Sequence, residues 1–386
     1  MRFPLVLLAL LAAQPLAAQE EKGRSDSAAP LEADSDRFPV EIDGKWGYID
    51  RQGDLAIAPV YEQAWPFREG RGRVLQFGRF GFVDATGELA VPLRFDDAYD
   101  FSGGRARVVQ FEAAYSEQRR RVIPSGRKLN GFVGPGGDVI VTPQYFAGRD
   151  FADGVAPVRL IEGLNVFNLF TLFRRPTTWA GIGLDGDRLF DTDAREIGRF
   201  SEGRAAFVTR GGMFNPSKWG YFGTDGAEVI PARFSRADAF SGGLACVGVD
   251  GRTGFITPDG TLVIEPDFLG CGAFAGGLAP VQDPDSERWG YIDREGAWQI
   301  SPRFLYADGL SEGAALVQTP DERFGFIGPD GGLVLAPVYD WARPFEDGLA
   351  YVRQGGVEGY VDRAGRFVWQ KPVEPQQEPA EEAGEE

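Results

Sequence analysis

Glycine returns along this chain at two fixed places in a period of about 34 to 36 residues, and no other feature narrows the fold as far. With Trp46 as the origin of the first copy, later copies begin at Phe80, Asn130, Trp179, Trp219, Thr253, Trp289, Phe324 and, truncated, Glu358. One column then reads Gly53, Gly87, Gly137, Gly186, Gly226, Gly260, Gly296, Gly331 and Gly365. The other reads Gly70, Gly104, Gly154, Gly203, Gly243, Gly277, Gly313 and Gly348. A glycine kept in register marks backbone with positive φ or a close approach, so both columns are turns. Self-similarity at this spacing describes units that bury their faces against neighbours.

Residues between the turns alternate as half-buried strands do. In the first strand of the first copy, Trp46 and Tyr48 share a face. In the second, Leu55 and Ile57 do, before Pro59 is expected to end the pairing. A third strand carries a small residue followed two places on by Val, as in Ala106 and Val108 or Ala279 and Val281. An aromatic and a Phe lie in the link between strands two and three, as Tyr61 and Phe67 or Phe95 and Phe101. The expectation is an all-β tandem array of about eight to nine short antiparallel meanders of three strands each.

The Trp-Gly pairs Lys45-Trp46-Gly47, Lys218-Trp219-Gly220 and Arg288-Trp289-Gly290, followed by the Gly, Pro and Phe columns, resemble the WG-repeat (KWG) family of bacteria over residues 38–370. The resemblance implies a tandem β architecture with an interaction or scaffolding role and no catalytic centre. The copy at Trp179 departs most from the pattern, lacking the Pro and placing Ala194 where the next aromatic belongs, so that unit is expected to be distorted.

The ends suggest how the array terminates. Residues 38–43 read as a lone third strand, and 358–369 as a first and second strand without a third. Together they would complete one unit and close a propeller-like ring. Nine units exceed the usual four to eight blades, so an open β-superhelix is favoured, with the closed ring as the alternative.

Composition removes several chemistries. The chain has no histidine, which excludes imidazole bases, histidine triads and imidazole metal sites. Its two cysteines, Cys246 and Cys271, cannot make a thiolate cage. A disulfide between neighbouring units and two small buried thiols are both open to them. Acidic turns at Asp50, Asp84, Asp259, Asp293 and Asp362 lack the alternating ligands of a calcium loop and read as turn caps. No catalytic, metal or cofactor residue is assigned.

Residues 1–18 have a basic start, a short apolar core and small residues at Ala17 and Ala18, the pattern of a cleaved export signal. Residues 19–37 and the acidic 371–386 read as disordered flanks, and the formal charge of −17 disfavours nucleic acid. No later segment is apolar enough to span a membrane. The expected product is a bacterial periplasmic or secreted protein whose partner is a protein or an envelope polysaccharide. A carbohydrate-binding or carbohydrate-active envelope protein is the alternative, with Trp65, Trp298, Trp341 and Trp369 outside the core Trp column.

Length variation falls between the third strand of one unit and the Trp strand of the next. Residues 110–129 and 159–178 are the large insertions. If that connection is a hairpin, every insertion emerges at one edge, where repeat proteins commonly build a binding face. The first insertion carries Arg119, Arg120, Arg121, Arg127 and Lys128. The second carries Phe167, Phe170 and Phe173 ahead of Arg174 and Arg175. These ten residues are the candidate partner-binding set, suited to an anionic or apolar surface. The competing role is packing, with the phenylalanines capping the irregular unit and the arginines solvating a loop.

Overall fold

The computed structural model describes residues 36–116, 121–160, 178–212 and 216–371, and every regular element in them is a β-strand. Nine antiparallel sheets, each in chain order, form the blades of a closed ring, a β-propeller. Blade 1 has three strands, β1 (Phe38–Ile42), β2 (Lys45–Ile49) and β3 (Leu55–Tyr61). Blade 2 has four: β4 (Gln63–Arg68), β5 (Arg71–Gln76), β6 (Arg79–Val83) and β7 (Leu89–Phe95). Blade 3 repeats this order with β8 (Asp97–Ser102), β9 (Arg105–Ser116), β10 (Arg121–Val133) and β11 (Val139–Tyr145). Strands β12 to β31 build blades 4 to 8 over residues 147–339. Blade 9 is β32 (Trp341–Ala342), β33 (Ala350–Gln354), β34 (Val357–Val361) and β35 (Phe367–Gln370).

The three-stranded unit expected from the sequence becomes a four-stranded blade because the Phe-bearing link is itself a strand. It pairs with the third strand of its own repeat, as β4 does with β5. Blade and repeat are therefore out of phase. A blade takes its first two strands from one sequence copy and its last two from the next.

The glycine of each Trp-Gly pair has a steric cause. β2 and β3 slip register between Tyr48↔Ile57 and Trp46↔Tyr61, so β3 bulges over Gly47. A Cβ on Gly47 would lie 2.7 Å from Pro59 N and 2.8 Å from Pro59 Cα. Pro59 thus sits in the bulge, where it owes the ladder no N–H, and the strand runs on to Tyr61 instead of stopping at the proline. Gly81, Gly131, Gly220, Gly254, Gly290 and Gly325 meet the same crossing backbone.

Blades adhere through a recurring aromatic contact. Tyr48 of blade 1 meets Phe67 of blade 2 with ring centroids 4.9 Å apart, and Phe82–Phe101, Phe132–Phe151 and Phe255–Phe274 repeat the 4.9 Å spacing around the ring. The plug ring needs room, and position 72 of the repeat supplies it. Gly72, Ala106, Ala156, Ala205, Ala245, Ala279, Ala315 and Ala350 occupy that position in the eight four-stranded blades.

The favoured open superhelix is corrected here, because blade 9 packs on blade 1. Phe38, Val40, Ile49, Leu349 and Tyr360 form one buried cluster across the seam. Tyr360 meets Phe38 at 5.3 Å, donates its hydroxyl to Pro39 O at 3.1 Å, and Lys371 Nζ reaches Glu41 Oε2 at 2.6 Å. Gly53, at φ 90°, leaves no space for a Cβ against the carbonyl of Val368. The two end fragments do not merge into one sheet as expected. β1 pairs with β2, β34 pairs with β33, and closure is made by side chains.

One local expectation holds, and one question left open by the sequence is answered. The Trp179 unit is irregular: its fourth strand, Arg188–Thr192, is shortened, and Phe190 fills the space against Gly181 that the proline bulge takes elsewhere. Cys246 and Cys271, in strands Ala245–Val249 and Gly270–Cys271 of adjacent blades, form a disulfide with their Cα atoms 6.1 Å apart.

The acidic turns act as caps. Asp84 Oδ1 accepts Thr86 N at 2.9 Å, Thr86 Oγ1 at 2.6 Å and Glu88 N at 3.1 Å, and the Thr86 hydroxyl foremost holds its pKa below the ordinary 3.8. Asp283 is lowered likewise, first by the hydroxyl of Ser286. A carboxylate depressed in the folded state stabilises fully above its unfolded value and loses that contribution as pH falls through the folded one. With no histidine to titrate, thermal midpoints should stay flat from neutrality down to about pH 5 and fall once the pH drops below about 4. Differential scanning fluorimetry across a pH series checks this, and Asp84→Asn should shrink the acid-side slope.

Candidate functional site

Two places on the ring combine exposure with chemistry. The first is the edge where the second and third strands of each blade join. In blade 2 this connection is the two-residue turn Phe77-Gly78, and in three-stranded blade 1 the equivalent turn, between β1 and β2, is Asp43-Gly44. In blade 3 it is the long hairpin of β9 and β10, paired from Ala106↔Val133 to Ser116↔Arg121. In blade 4 the connection spans 160–178, anchored where Leu160 N donates to Thr178 O at 2.9 Å. The insertions therefore emerge at equivalent hairpins, as the sequence suggests.

Of the ten candidate residues, Arg127 and Lys128 have described side chains. Arg127 Nη1 lies 3.5 Å from Glu112 Oε2, and Lys128 Nζ stands 5.7 Å from the ring of Phe111. Arg121 contributes a backbone pair with Ser116. Arg119, Arg120, Phe167, Phe170, Phe173, Arg174 and Arg175 lie outside the described residues. The structure adds aromatics that periodicity does not single out. Phe77 is 82% exposed at the blade 2 turn, where its φ is 53°, and Phe111 and Phe146 are also exposed.

The second place is the seam. A cleft of about 500 Å³ opens between β1, β4 and blade 9. Pro39, Glu41, Trp46, Trp65, Arg343 and Tyr360 are among its lining residues. Phe38 explains why the seam closes and still leaves a cleft. It stands at position 72, which is Gly or Ala in every other blade, and its ring reaches Tyr360 in place of the absent plug. Across the same seam, Arg68 of blade 2 pairs directly with Glu346 of blade 9. Burial holds the hydroxyl of Tyr360 protonated well above its usual range, so it remains a donor to Pro39 O. Tyr351 is pushed up to about 12, by burial first and then by the adjacent Glu358 carboxylate.

Sequence reasoning missed this cleft. Its signal is one oversized residue, Phe38, in a column of small ones, visible only once the column is known to face a plug. The core Trp column behaves as expected, with Trp179 buried and Trp46, Trp219 and Trp289 partly so. Trp298 is 39% exposed, whereas Trp65 is covered by the guanidinium of Arg73 at 4.2 Å. Among the described residues no cluster of carboxylates or thiolates could hold a metal ion, and no helix is long and apolar enough to cross a membrane.

A family model described as "WG containing repeat" matches residues 46–76, 80–110, 131–163, 219–252, 254–283, 289–319 and 324–357. The irregular copy at Trp179 falls between two matched segments. No curated protein sequence matches the chain. Among solved structures, a eukaryotic initiation factor is similar with a TM-score of 0.60 at 8% identity, over 87% of this chain and 96% of that one. The computationally designed Ika8 protein aligns with a TM-score of 0.43 at 13% identity, over 78% and 92%. At 8% identity the likeness to the initiation factor concerns fold alone.

Tyr360 separates two contributions to closure. Tyr360→Phe removes a hydrogen bond and should lower stability by about 0.5–1.5 kcal/mol. Tyr360→Ala removes the ring that meets Phe38 and should cost about 3–5 kcal/mol. Chemical denaturation of the two variants measures the difference.

Proposed function

Since the chain belongs to the family of WG-containing repeat proteins, we propose that it is a non-catalytic exported scaffold that captures a protein or envelope macromolecule at its hairpin edge. One observation carries the reading: the large length changes between repeats fall on equivalent hairpins, and the two largest sit in adjacent blades, 3 and 4. A scaffold that repeats its core and varies one edge concentrates its recognition there.

The chemistry of that edge supports a protein partner. Phe111 is exposed with Lys128 Nζ 5.7 Å from its ring, and Phe77 at the blade 2 turn and Phe146 beside Arg159 are exposed as well, on a chain of formal charge −17. Aromatic anchors ringed by polar groups suit a partner with apolar side chains and carboxylates. Export is supported by the signal-like residues 1–18 and by the Cys246–Cys271 disulfide, a bond that persists in oxidising compartments. Residues 174 and 175 would extend the basic edge, with Arg119 and Arg120 on the neighbouring hairpin.

The test replaces residues 161–177 with a short Gly-containing turn, keeping the Leu160–Thr178 pair. Crosslinking in the native envelope followed by identification of the attached molecule should lose its product, while circular dichroism and the melting midpoint stay unchanged. Undiminished crosslinking to the same molecule would sink the reading. A second variant, Arg127→Glu with Lys128→Glu, should weaken capture more at low than at high salt.

A further inference from the structure

We propose that the open edge of β1 is a receptor for a short extended segment of a partner protein, which joins blade 1 as its fourth strand and directs an acidic side chain to Arg343. This surface is separate from the hairpin edge and does not rest on it.

The eight four-stranded blades define what the seat requires. In each of them the residue opening the first strand donates its N–H to a carbonyl of the second strand. Glu62 donates to Leu75 at 2.9 Å, Asp96 to Val109 at 3.0 Å and Asp340 to Arg353 at 2.8 Å. Three residues on, a second N–H donates two residues back along the partner strand, as from Asp238 to Cys246 O or Arg343 to Tyr351 O. Val40 pairs with Gly47 as Val74 pairs with Gly81, so the corresponding acceptors in blade 1 are the carbonyls of Glu41 and Pro39. In the β1–β2 hairpin, Phe38, Val40 and Ile42 direct their backbone groups to β2, which turns those of Pro39 and Glu41 outward. Both residues line the cleft of about 500 Å³, and among the described residues β1 ends the sheet. The Pro39 carbonyl also accepts the Tyr360 hydroxyl, as Arg73 O of blade 2 accepts that of Tyr48, and keeps a second lone pair for a strand. An edge that ends its sheet beside an open cleft is the arrangement that β-strand addition uses.

The sequence after Lys371 is poor in the donors this seat needs, and the sequence before β1 lacks the turn glycine. Lys371 N donates to Glu358 O, which sets Lys371 opposite Glu358 as Tyr61 stands opposite Trp46. In sequence the chain continues from there with Pro372 and, three residues later, Pro375, and a proline has no N–H to give. On the other side, the turn joining first and second strands has glycine with φ between 72° and 86° in all eight blades. Blade 1 has Asp36 in that column, its carboxylate bound to Arg51 Nη2 at 2.6 Å. The seat is thus shaped for a strand that this chain's own flanks are ill-suited to supply.

Charge and shape narrow the occupant. Arg343 is exposed on the cleft wall, 5.3 Å over the ring of Trp341, with no carboxylate in ion-pair range among the described residues. Glu41, by contrast, is engaged by Lys371. The ring of Phe38 meets Tyr360 in place of the missing plug, so the segment has no bulky residue at that position.

The experiment uses the full chain and a fluorescein-labelled peptide Ser-Arg-Ala-Asp-Ala, the sequence of residues 235–239 from blade 6. Fluorescence anisotropy should show saturable binding, and hydrogen exchange should slow at the Glu41 amide. The same peptide N-methylated at Ser and Asp should bind about tenfold more weakly or worse, having lost both donors. Arg343→Glu should weaken binding by about fivefold or more while Arg343→Lys retains most of it. Replacing residues 161–177 should leave this peptide binding unchanged, which separates its failure from that of the hairpin edge. Absence of binding, equal binding of the methylated peptide, or an unmoved Glu41 amide overturns the proposal. So does binding that appears only after residues 372–386 are removed, because the chain would then be filling its own seat.

Discussion

The ring depends on the close crossing of a bulged strand over the glycine of each Trp-Gly pair. With no side chain at Gly47, β3 can slip its register, pass Pro59 through the bulge and still return to pair Tyr61 with Trp46. That slip brings the chain within one residue of the next blade, where β4 begins at Gln63. It also fixes the neighbouring Tyr48 so that its ring meets Phe67, and its hydroxyl donates to Trp65 O at 2.9 Å. A single missing Cβ thereby links the pleat of one sheet to the packing of the next.

Much of this was legible because the chain contains its own internal comparison. Two glycine columns and the Ala-Val third strand located turns and strands without any relative. The paired cysteines sat in positions that neighbouring units could bring together. What stayed hidden were relations between columns. A Phe in a link reads as a plug, but nothing local says that it leaves its own copy to form a strand in the next blade. Closure belongs to the same class, since it rests on contacts between Phe38 and Tyr360 at opposite ends of the array, which no single copy contains. Pro59 misled because a proline stops a regular ladder, whereas here it sits where the ladder is already broken.

The candidate surfaces were legible in unequal measure. Insertions announce themselves as length, so the hairpin edge could be found by counting. The cleft at the seam is encoded by an exchange of sizes, with Phe38 standing where eight other blades have Gly or Ala. Such a substitution has meaning only against the three-dimensional partner of that position. Tyr360 shows the same economy of means, since its ring and hydroxyl make the blade contact used elsewhere, but to residues of β1.

The phase difference between repeat and blade has a consequence for how such a ring can change size. Each sequence copy holds the last two strands of one blade and the first two of the following one, so it carries both sides of a junction within itself. Duplicating a copy inserts a finished joint along with the new material, and deleting one removes a joint cleanly. Circumference is then set by copy number, while the junction between first and last blades alone must adapt to each new curvature. A closure made of side chains, with no strand exchanged across it, is the kind of fastening that can absorb such a change.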